Sequence, residues 1–469
     1  MSKKTSETLR CFSPANGQLY VERALLGEKE IAQALSTANR AQKLWAEVNL
    51  VERQTIVHRA IEVMRSVETK VSREITEQMG RPIGQTPGEV NGFAERAAYM
   101  TNIAENALAD VEPDPQPGFH RFIRRSPLGV VFVIAPWNYP YLTAVNAVVP
   151  ALLAGNAVLL KHSSQTPLCS ERFAEIFSEA GLPPGVLQSL HLSHASTLGL
   201  VGASGVDFVA FTGSVEGGHA IQRAASKRFI ATGLELGGKD PAYVAEDADP
   251  GATAPHLIEG AFFNSGQSCC GIERIYAHRT VANELIEAAI AETLKYQLGD
   301  PLDPATSLGP MVRESAAQFV QGQINAAVAA GAQTLIDPSH FSADSLGPCY
   351  QPPQILVQVD HSMDIMMEES FGPVVGIMIV DSDEEALHLM NDSQYGLTAS
   401  IWTQDEERTI RLGQKLATGT VFMNRCDYLD PGLAWTGVKE SGRGTTLSAL
   451  GYEVLTRPQS FHLRHELPR

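Results

Sequence analysis

Between Val130 and Leu234 short β-rich runs alternate with helical segments, and no other feature restricts the fold of this chain so strongly. The strand-like runs are Val130–Ala135, Ala157–Lys161, Val186–Leu192, Phe208–Phe211 and Ile230–Leu234. The helical segments between them are Leu142–Leu153, Pro167–Ala180, Ala195–Gly202 and Val215–Ala225. Strand–helix repetition of this kind builds βαβ units and a parallel sheet covered on both faces. Such sheets hold ligands beyond the carboxyl ends of their strands.

The rest of the chain divides around this block. The first hundred or so residues read as helical, with apolar residues at three- and four-residue spacing over Glu28–Leu44, Val51–Val67 and Val71–Gln78. The Pro-rich stretch Val111–Gly118 breaks that pattern and predicts a loop or hairpin. After Gly238 a second alternation sets in. Helical patterns at Ala252–Phe263, Val281–Tyr296, Glu314–Ala330 and Glu384–Asn391 are separated by strand-like Glu273–Ala277, Val374–Val380 and Thr398–Thr403, which predicts a second α/β domain. The segment around Phe461 is short and strand-like, a piece that pairs with another element or another subunit. With 469 residues, two or more domains are expected.

Charge and cysteine content narrow the functional classes. The net charge of −17, from 53 acidic and 36 basic residues, argues against sequence-independent binding to nucleic acid or anionic membranes. It leaves room for an anionic ligand held by a helix N-terminus and one or two lysines. Six cysteines, at positions 11, 169, 269, 270, 349 and 426, show neither a disulfide framework nor zinc spacing, so no metal is expected and a reducing compartment fits. The opening Met-Ser-Lys-Lys-Thr-Ser-Glu-Thr lacks the apolar run of a signal peptide, and no stretch reaches the ~18–20 apolar residues that cross a bilayer. A cytoplasmic location is the expectation.

Three motifs carry the candidate chemistry. Phe263-Asn-Ser-Gly-Gln-Ser-Cys-Cys-Gly places Cys269 in a Gly/Ser loop between a helix and a strand, where a thiol is accessible; a buried inert cysteine is the competing reading. In Leu234-Glu-Leu-Gly-Gly-Lys-Asp-Pro241, Glu235 stands between apolar residues at a strand end. Desolvation there raises a carboxylate's pKa toward that of a general base, and the alternative is an edge-strand glutamate in a salt bridge. In Val133-Ile-Ala-Pro-Trp-Asn-Tyr-Pro140, Asn138 is fixed between two prolines as a rigid amide donor suited to an oxyanion, or as plain turn chemistry.

Together, PWNYP, FTGS, ELGGKDP, FNSGQSC and EESFGP, in that order, resemble the aldehyde dehydrogenase superfamily over about Phe12 to Gly451. The spacing from Glu235 to Cys269 matches the family's base-to-nucleophile separation, and Arg274 follows at the expected offset. The resemblance implies a Rossmann-like cofactor domain (1–109 and 127–235), an α/β catalytic domain (236–445) and a small β oligomerisation element (110–126 and 446–469). It further implies a homodimer or homotetramer. The implied chemistry is NAD(P)-dependent oxidation of a small-molecule aldehyde. Cys269 attacks to give a thiohemiacetal, the Asn138 amide and the Cys269 N–H hold the oxyanion, and Glu235 activates water to release the acid. Cys270, beside the nucleophile, is expected to pack.

The same resemblance assigns a cofactor site for NAD or NADP. In Phe211-Thr-Gly-Ser-Val-Glu-Gly-Gly218, Ser214 touches the pyrophosphate and Gly218 permits close packing, and Gly213 and Trp137 belong to the same cofactor site. Lys161 grips the adenosine ribose, while Ser164 replaces the glutamate of many members and so removes the repulsion of a 2′-phosphate. Glu369 and Phe371 position the nicotinamide ribose and ring. Asn146 and Ala147 stand where the family often has Trp-Lys. The substrate tunnel's floor is expected to include Arg425–Asp430 and Trp435. Arg425 there either meets the carboxylate of a semialdehyde such as succinate semialdehyde or pairs with Asp427 or Asp430, and an aliphatic aldehyde is the other substrate class. Two further readings are a catalytically silent relative acting as a binding protein and an acylating, coenzyme A-dependent enzyme. Acylating relatives commonly lack the glutamate, so Glu235 favours hydrolysis.

Overall fold

A computed structural model describes residues 7–465. The opening segment read against a signal peptide therefore lies, at positions 1–6, outside the described residues. The chain starts with an antiparallel hairpin, β1 (Thr8–Phe12) and β2 (Leu19–Ala24), inside the stretch that the sequence predicted as helical. Helices α1 (Glu28–Ala46), α2 (Leu50–Ser66) and α3 (Glu68–Met79) follow close to the predicted ranges. A fourth, α4 (Pro87–Ala107), had no counterpart in the prediction. Its sequence opens with Pro-Gly and contains Gly92, which reads as broken. Pro87 in fact occupies the first turn, where no N–H is needed, and a Cβ at Gly92 would lie 2.1 Å from Leu142 Cδ2. The helix needs that glycine to pack.

Strand β3 (Phe119–Pro127) leaves the Pro-rich segment. The alternating block then runs β4 (Val130–Ala135), α5 (Pro140–Leu153), β5 (Ala157–His162), α6 (Pro167–Glu179), β6 (Leu187–Ser189), α7 (His194–Val201), β7 (Phe208–Thr212), α8 (Val215–Ala225) and β8 (Ala231–Glu235). These five strands are parallel in the spatial order β6-β5-β4-β7-β8. That is the doubly wound order whose direction switches between β4 and β7. The buried faces explain the uninterrupted apolar runs of β4 and β5. Val131, Val133 and Leu160 pack under α2, α4, α5 and α6, while Val130, Phe132 and Leu159 meet α1, α7 and α8. Only the predicted Val186–Leu192 shrinks, to three residues at the sheet edge.

The second sheet begins with β9 (Asp240–Val244), α9 (Pro250–Phe262), β10 (Ile272–His278), α10 (Ala282–Thr293) and α11 (Glu314–Ala329). It continues through β11 (Gln333–Thr334), β12 (Gln354–Val357), β13 (Val374–Val380), β14 (Thr398–Trp402) and β15 (Thr420–Met423). The order is β11-β12-β13-β10-β9-β14-β15, parallel except for β11. Here β9, β11, β12 and β15 were missing from the prediction. The two-residue β16 (Gly442–Arg443) returns to β8 of the first sheet, pairing Gly442 with Glu235. Last, β17 (Thr456–Arg464) pairs antiparallel with β3 along its whole length, and Phe122 stacks on Phe461 at 4.5 Å. That two-stranded ribbon unites the strand after the Pro-rich segment with the C-terminal strand. Among the described residues no helix is long and apolar enough to cross a membrane.

Candidate active site

Cys269 follows a strained loop. Asn264, Ser265 and Gly266 all have left-handed backbone, with φ of 53°, 56° and 69°. Consecutive non-glycine residues in that region are costly and persist only where the surroundings hold them. The loop is held by contacts. A Cβ at Gly266 would lie 2.1 Å from the Gly372 carbonyl oxygen, so only glycine fits. The Gln267 carboxamide accepts from Val312 N (2.8 Å) and donates to Asn264 O (3.1 Å). Cys269 emerges half-buried on a cavity wall. Cys270 is 3% exposed, and its thiol donates to Asp427 Oδ1 at 3.1 Å. Both thiols border the cavity, but Cys269 is half-buried while Cys270 is buried and hydrogen-bonded to Asp427.

Asn138 follows β4 and is 4% exposed. Its Nδ2 donates to Gln267 O at 3.2 Å, which ties the amide to the cysteine loop; an amide nitrogen has a second N–H to give. Behind it lies an ion pair invisible to motif reading. Arg81 and Glu89, with side chains 1% and 0% exposed, pair at 2.8 Å. Arg81 also donates to the Asn138 carbonyl and to Asn264 Oδ1 (3.1 Å), and its guanidinium lies over the Tyr139 ring at 4.3 Å. The second Glu89 oxygen accepts from Tyr141 N and Leu142 N, both at 3.0 Å, capping the start of α5. One buried pair therefore fixes the turn that carries Asn138.

Glu235 closes β8 and faces the same cavity. It makes no salt bridge among the described residues. Thr446 Oγ1 donates to its Oε1 (2.6 Å) and Thr212 Oγ1 to its Oε2 (3.0 Å). Burial raises its pKa, while these hydroxyls and the more distant Arg96 charge pull the other way. A carboxylate in this state is a competent base near neutral pH.

Trp137, Lys161, Gly213 and Ser214 lie at the carboxyl ends of β4, β5 and β7, where the strand order switches, and Glu369 and Phe371 precede β13. Ser214 caps α8, its hydroxyl accepting from Gly217 N (3.2 Å). A Cβ at Gly213 would meet Phe211 Cζ at 2.7 Å, and one at Gly218 would meet Leu236 Cδ1 at 2.7 Å. Both glycines keep the turn close to its neighbours. Lys161 is buried at the end of β5 without a carboxylate partner among the described residues, and desolvation lowers its pKa. Ser164 is exposed in the following turn. Trp137 meets Phe371 edge-on at 5.5 Å. Glu369 lies against Gly237 and accepts from Gly238 N (3.1 Å); burial and nearby Glu273 push its carboxyl up to about 8. The Glu273 carboxylate, paired with Lys239, holds the N–H groups of Ser370 (2.8 Å) and Phe371 (2.9 Å). An open helix N-terminus, glycines and an unpaired buried ammonium suit a dinucleotide phosphate and ribose.

Comparison with known proteins decides the family. The sequence profile of the Aldehyde dehydrogenase family matches residues 1–461. The chain belongs to the aldehyde dehydrogenase family. It is 33% identical to the succinate semialdehyde dehydrogenase Sad of Escherichia coli K12, over 94% of each chain. Among solved structures it resembles a succinic semialdehyde dehydrogenase from Streptococcus pyogenes in complex with NADP+, with TM-score 0.91, 28% identity and coverage of 97% and 100%. An NADP-dependent glyceraldehyde-3-phosphate dehydrogenase from Bacillus halodurans matches with TM-score 0.92 at 31% identity, over 99% and 97%. The protein is thus an aldehyde dehydrogenase, an oxidoreductase that uses NAD or NADP.

The dehydrogenase's cavity has a volume of about 640 Å³ and is lined by Cys269, Glu235, Tyr139, Tyr428 and Trp435 among others. One expectation is corrected here. Arg425 pairs with neither Asp427 nor Asp430. Its guanidinium stacks on the Tyr428 ring at 3.5 Å, and Asp427 turns inward to accept from Ser268 Oγ (2.7 Å) and Cys270. Asp427 has left-handed backbone (φ 45°), and its carboxyl is committed to the cysteine loop. Asn146, at the family's Trp position, is buried and accepts from Arg96 (3.3 Å). Motif reading passed over Arg81, Glu89 and Arg96, and it named Asp427 only as a tunnel-floor residue and a partner for Arg425. The Pro-Gly after Arg81 and the acidic residue in the loop were signals, but their partners lie far away in sequence.

Proposed function

We propose that this dehydrogenase oxidises a small aldehyde to the carboxylic acid with water as the acyl acceptor. The observation that carries the reading is the convergence of Cys269 and Glu235 on one cavity, with Asn138 fixed beside the cysteine loop. Cys269 adds to the carbonyl to form a thiohemiacetal. The free N–H of the Asn138 amide and the Cys269 backbone N–H stabilise the oxyanion. Bound NAD(P), held by Trp137, Lys161, Ser164, Gly213, Ser214, Gly218, Glu369 and Phe371, supplies the hydride acceptor. Glu235 takes a proton from water, whose oxygen attacks the Cys269 thioester and frees the acid and the thiol. In balance, aldehyde, NAD(P)+ and water give acid, NAD(P)H and a proton.

Residues 1–109 and 127–235 form the cofactor-binding part in this reading, 236–445 the catalytic part, and 110–126 with 446–469 an oligomerisation element. The β3–β17 ribbon supports a homodimer or homotetramer, because Leu463 and the aromatic pair leave apolar surface on a two-stranded element. A cytoplasmic location fits the free cysteines. The exposed Ser164 supports acceptance of NADP as well as NAD, since no carboxylate stands there to repel a 2′-phosphate. Among substrates, the semialdehydes named for relatives stand beside simple aliphatic aldehydes.

The test is absorbance at 340 nm with a panel of aldehydes, each with NAD and with NADP, on wild type and on Cys269→Ala. Reduction that vanishes in the variant supports the proposal. Undiminished reduction by the variant refutes it, and so does reduction that requires added coenzyme A and yields the acyl-coenzyme A thioester in place of the acid.

A further inference from the structure

We infer that Arg96 anchors a carboxylate at the far end of the aldehyde, so that the enzyme selects short semialdehydes over neutral aldehydes. This rests on Cys269 acting on substrate in the cavity described above. Arg96 projects from the middle of α4, and the residue is only 7% exposed, yet it lines the cavity. Its Nη1 donates to Leu142 O (2.6 Å) and Asn146 Oδ1 (3.3 Å). Its Nε and Nη2 have no hydrogen-bond partner among the described residues, and neither is a sealed orphan of the interior, so these N–H groups face the open cavity.

Each carboxylate around it is committed elsewhere. Glu89 serves Arg81 and the start of α5. Glu95 accepts from the Tyr428 hydroxyl (3.1 Å), and Glu235 is held by two threonines. A guanidinium cannot shed its charge, and none of these carboxylates hydrogen-bonds it, so its Nε and Nη2 are left for an anion entering the cavity. The planar fork matches a carboxylate in two parallel hydrogen bonds. Arg96 offers a single fork fixed by its bonds to Leu142 and Asn146, which favours one carboxylate over a phosphate dianion. Arg425, stacked on Tyr428 on the same cavity wall, adds attraction for an incoming anion.

The experiment compares kcat/KM for succinate semialdehyde, for butanal (the same chain with a methyl group in place of the carboxylate) and for glyceraldehyde 3-phosphate. Wild type, Arg96→Lys and Arg96→Gln are each assayed with the three substrates. Loss of a charged hydrogen-bond pair inside a pocket predicts that wild type favours the semialdehyde over butanal by about 100-fold, and that Arg96→Gln cuts this ratio by about 30-fold or more. Arg96→Lys should cut it less. The ratio is the right quantity, because Arg96 also acts at a distance on Glu235, and both aldehydes share the Cys269 and Glu235 steps. A wild-type ratio near one overturns the inference even if the variants fail to fold. So does an unaltered ratio in folded variants, or a preference for the phosphate over the carboxylate. No NAD(P)H from any of the three aldehydes would instead overturn the reading of the cavity itself.

Discussion

Replacing Glu89 by glutamine should injure both stability and turnover. Glu89 is fully buried, pairs with Arg81 at 2.8 Å and accepts two backbone N–H groups at the start of α5. Glutamine keeps one carbonyl oxygen for those N–H groups but leaves Arg81 as an uncompensated buried charge, a change that costs about 3–5 kcal/mol. At roughly 2 °C per kcal/mol for a large chain, the melting temperature should fall by about 6–10 °C. Arg81 also holds the Asn138 carbonyl, so the turn carrying the oxyanion donor should loosen; misplacement of ~1 Å lowers kcat about 100-fold. Thermal unfolding and steady-state kinetics on Glu89→Gln, Arg81→Met and the double variant measure both effects. The double variant should be less damaged than the sum of the singles by more than about 1 kcal/mol, because it leaves no lone charge behind. Additive losses, or a Glu89→Gln enzyme with unchanged melting and kcat, would refute the assignment of this pair as the support of Asn138.

Two further outcomes follow from the site. Glu235 must be ionised to take a proton, and burial raises its pKa, so kcat should fall as pH drops through a value above the usual carboxylate range of about 4.3. Thr446→Val removes the 2.6 Å hydrogen bond that favours the ionised form and should move that acid limb upward by about one pH unit, read from the pH profile of kcat; a downward or absent shift would count against Glu235 as the base. Introducing a carboxylate at the exposed position by Ser164→Glu should lower the ratio of kcat/KM for NADP over NAD by about tenfold or more. An unchanged ratio would show that this residue does not face the 2′ position.

How far the sequence reached depended on whether the determinant was local. The spans of β4, β13 and α8 agree with their apolar patterns residue for residue, since burial on both faces, or one amphipathic stripe, leaves its mark in the sequence itself. Strand β9 begins Asp-Pro, which reads as a turn. It is a strand because Thr398 of β14 donates to the buried Asp240 carboxyl from its hydroxyl (2.6 Å) and its N–H (3.1 Å). Helix α4 hid behind Pro87, Gly88 and Gly92 for a similar reason, the last glycine being required by Leu142. Within the site, Cys269, Glu235 and Asn138 stood out because motifs surround them; Cys269 and Glu235 line one cavity, and Asn138 is tied to the cysteine loop beside it. Arg81, Glu89 and Arg96 did not, because each works through a partner about fifty residues away: Asn138, the α5 N-terminus and Asn146. Asp427 was singled out as a tunnel-floor residue, but its actual partners Ser268 and Cys270, more than 150 residues away, were not legible.

The most direct test of the catalytic reading is rapid-mixing kinetics on Glu235→Gln with intact-protein and peptide mass spectrometry. Without the base the enzyme should still pass hydride, giving a burst of NAD(P)H close to one per active site. Steady turnover should then fall by about 10²–10⁴-fold, while an acyl group accumulates on the peptide carrying Cys269. Steady turnover like that of wild type, or an acyl group found on Cys270 instead of Cys269, would contradict the division of labour between Cys269 and Glu235.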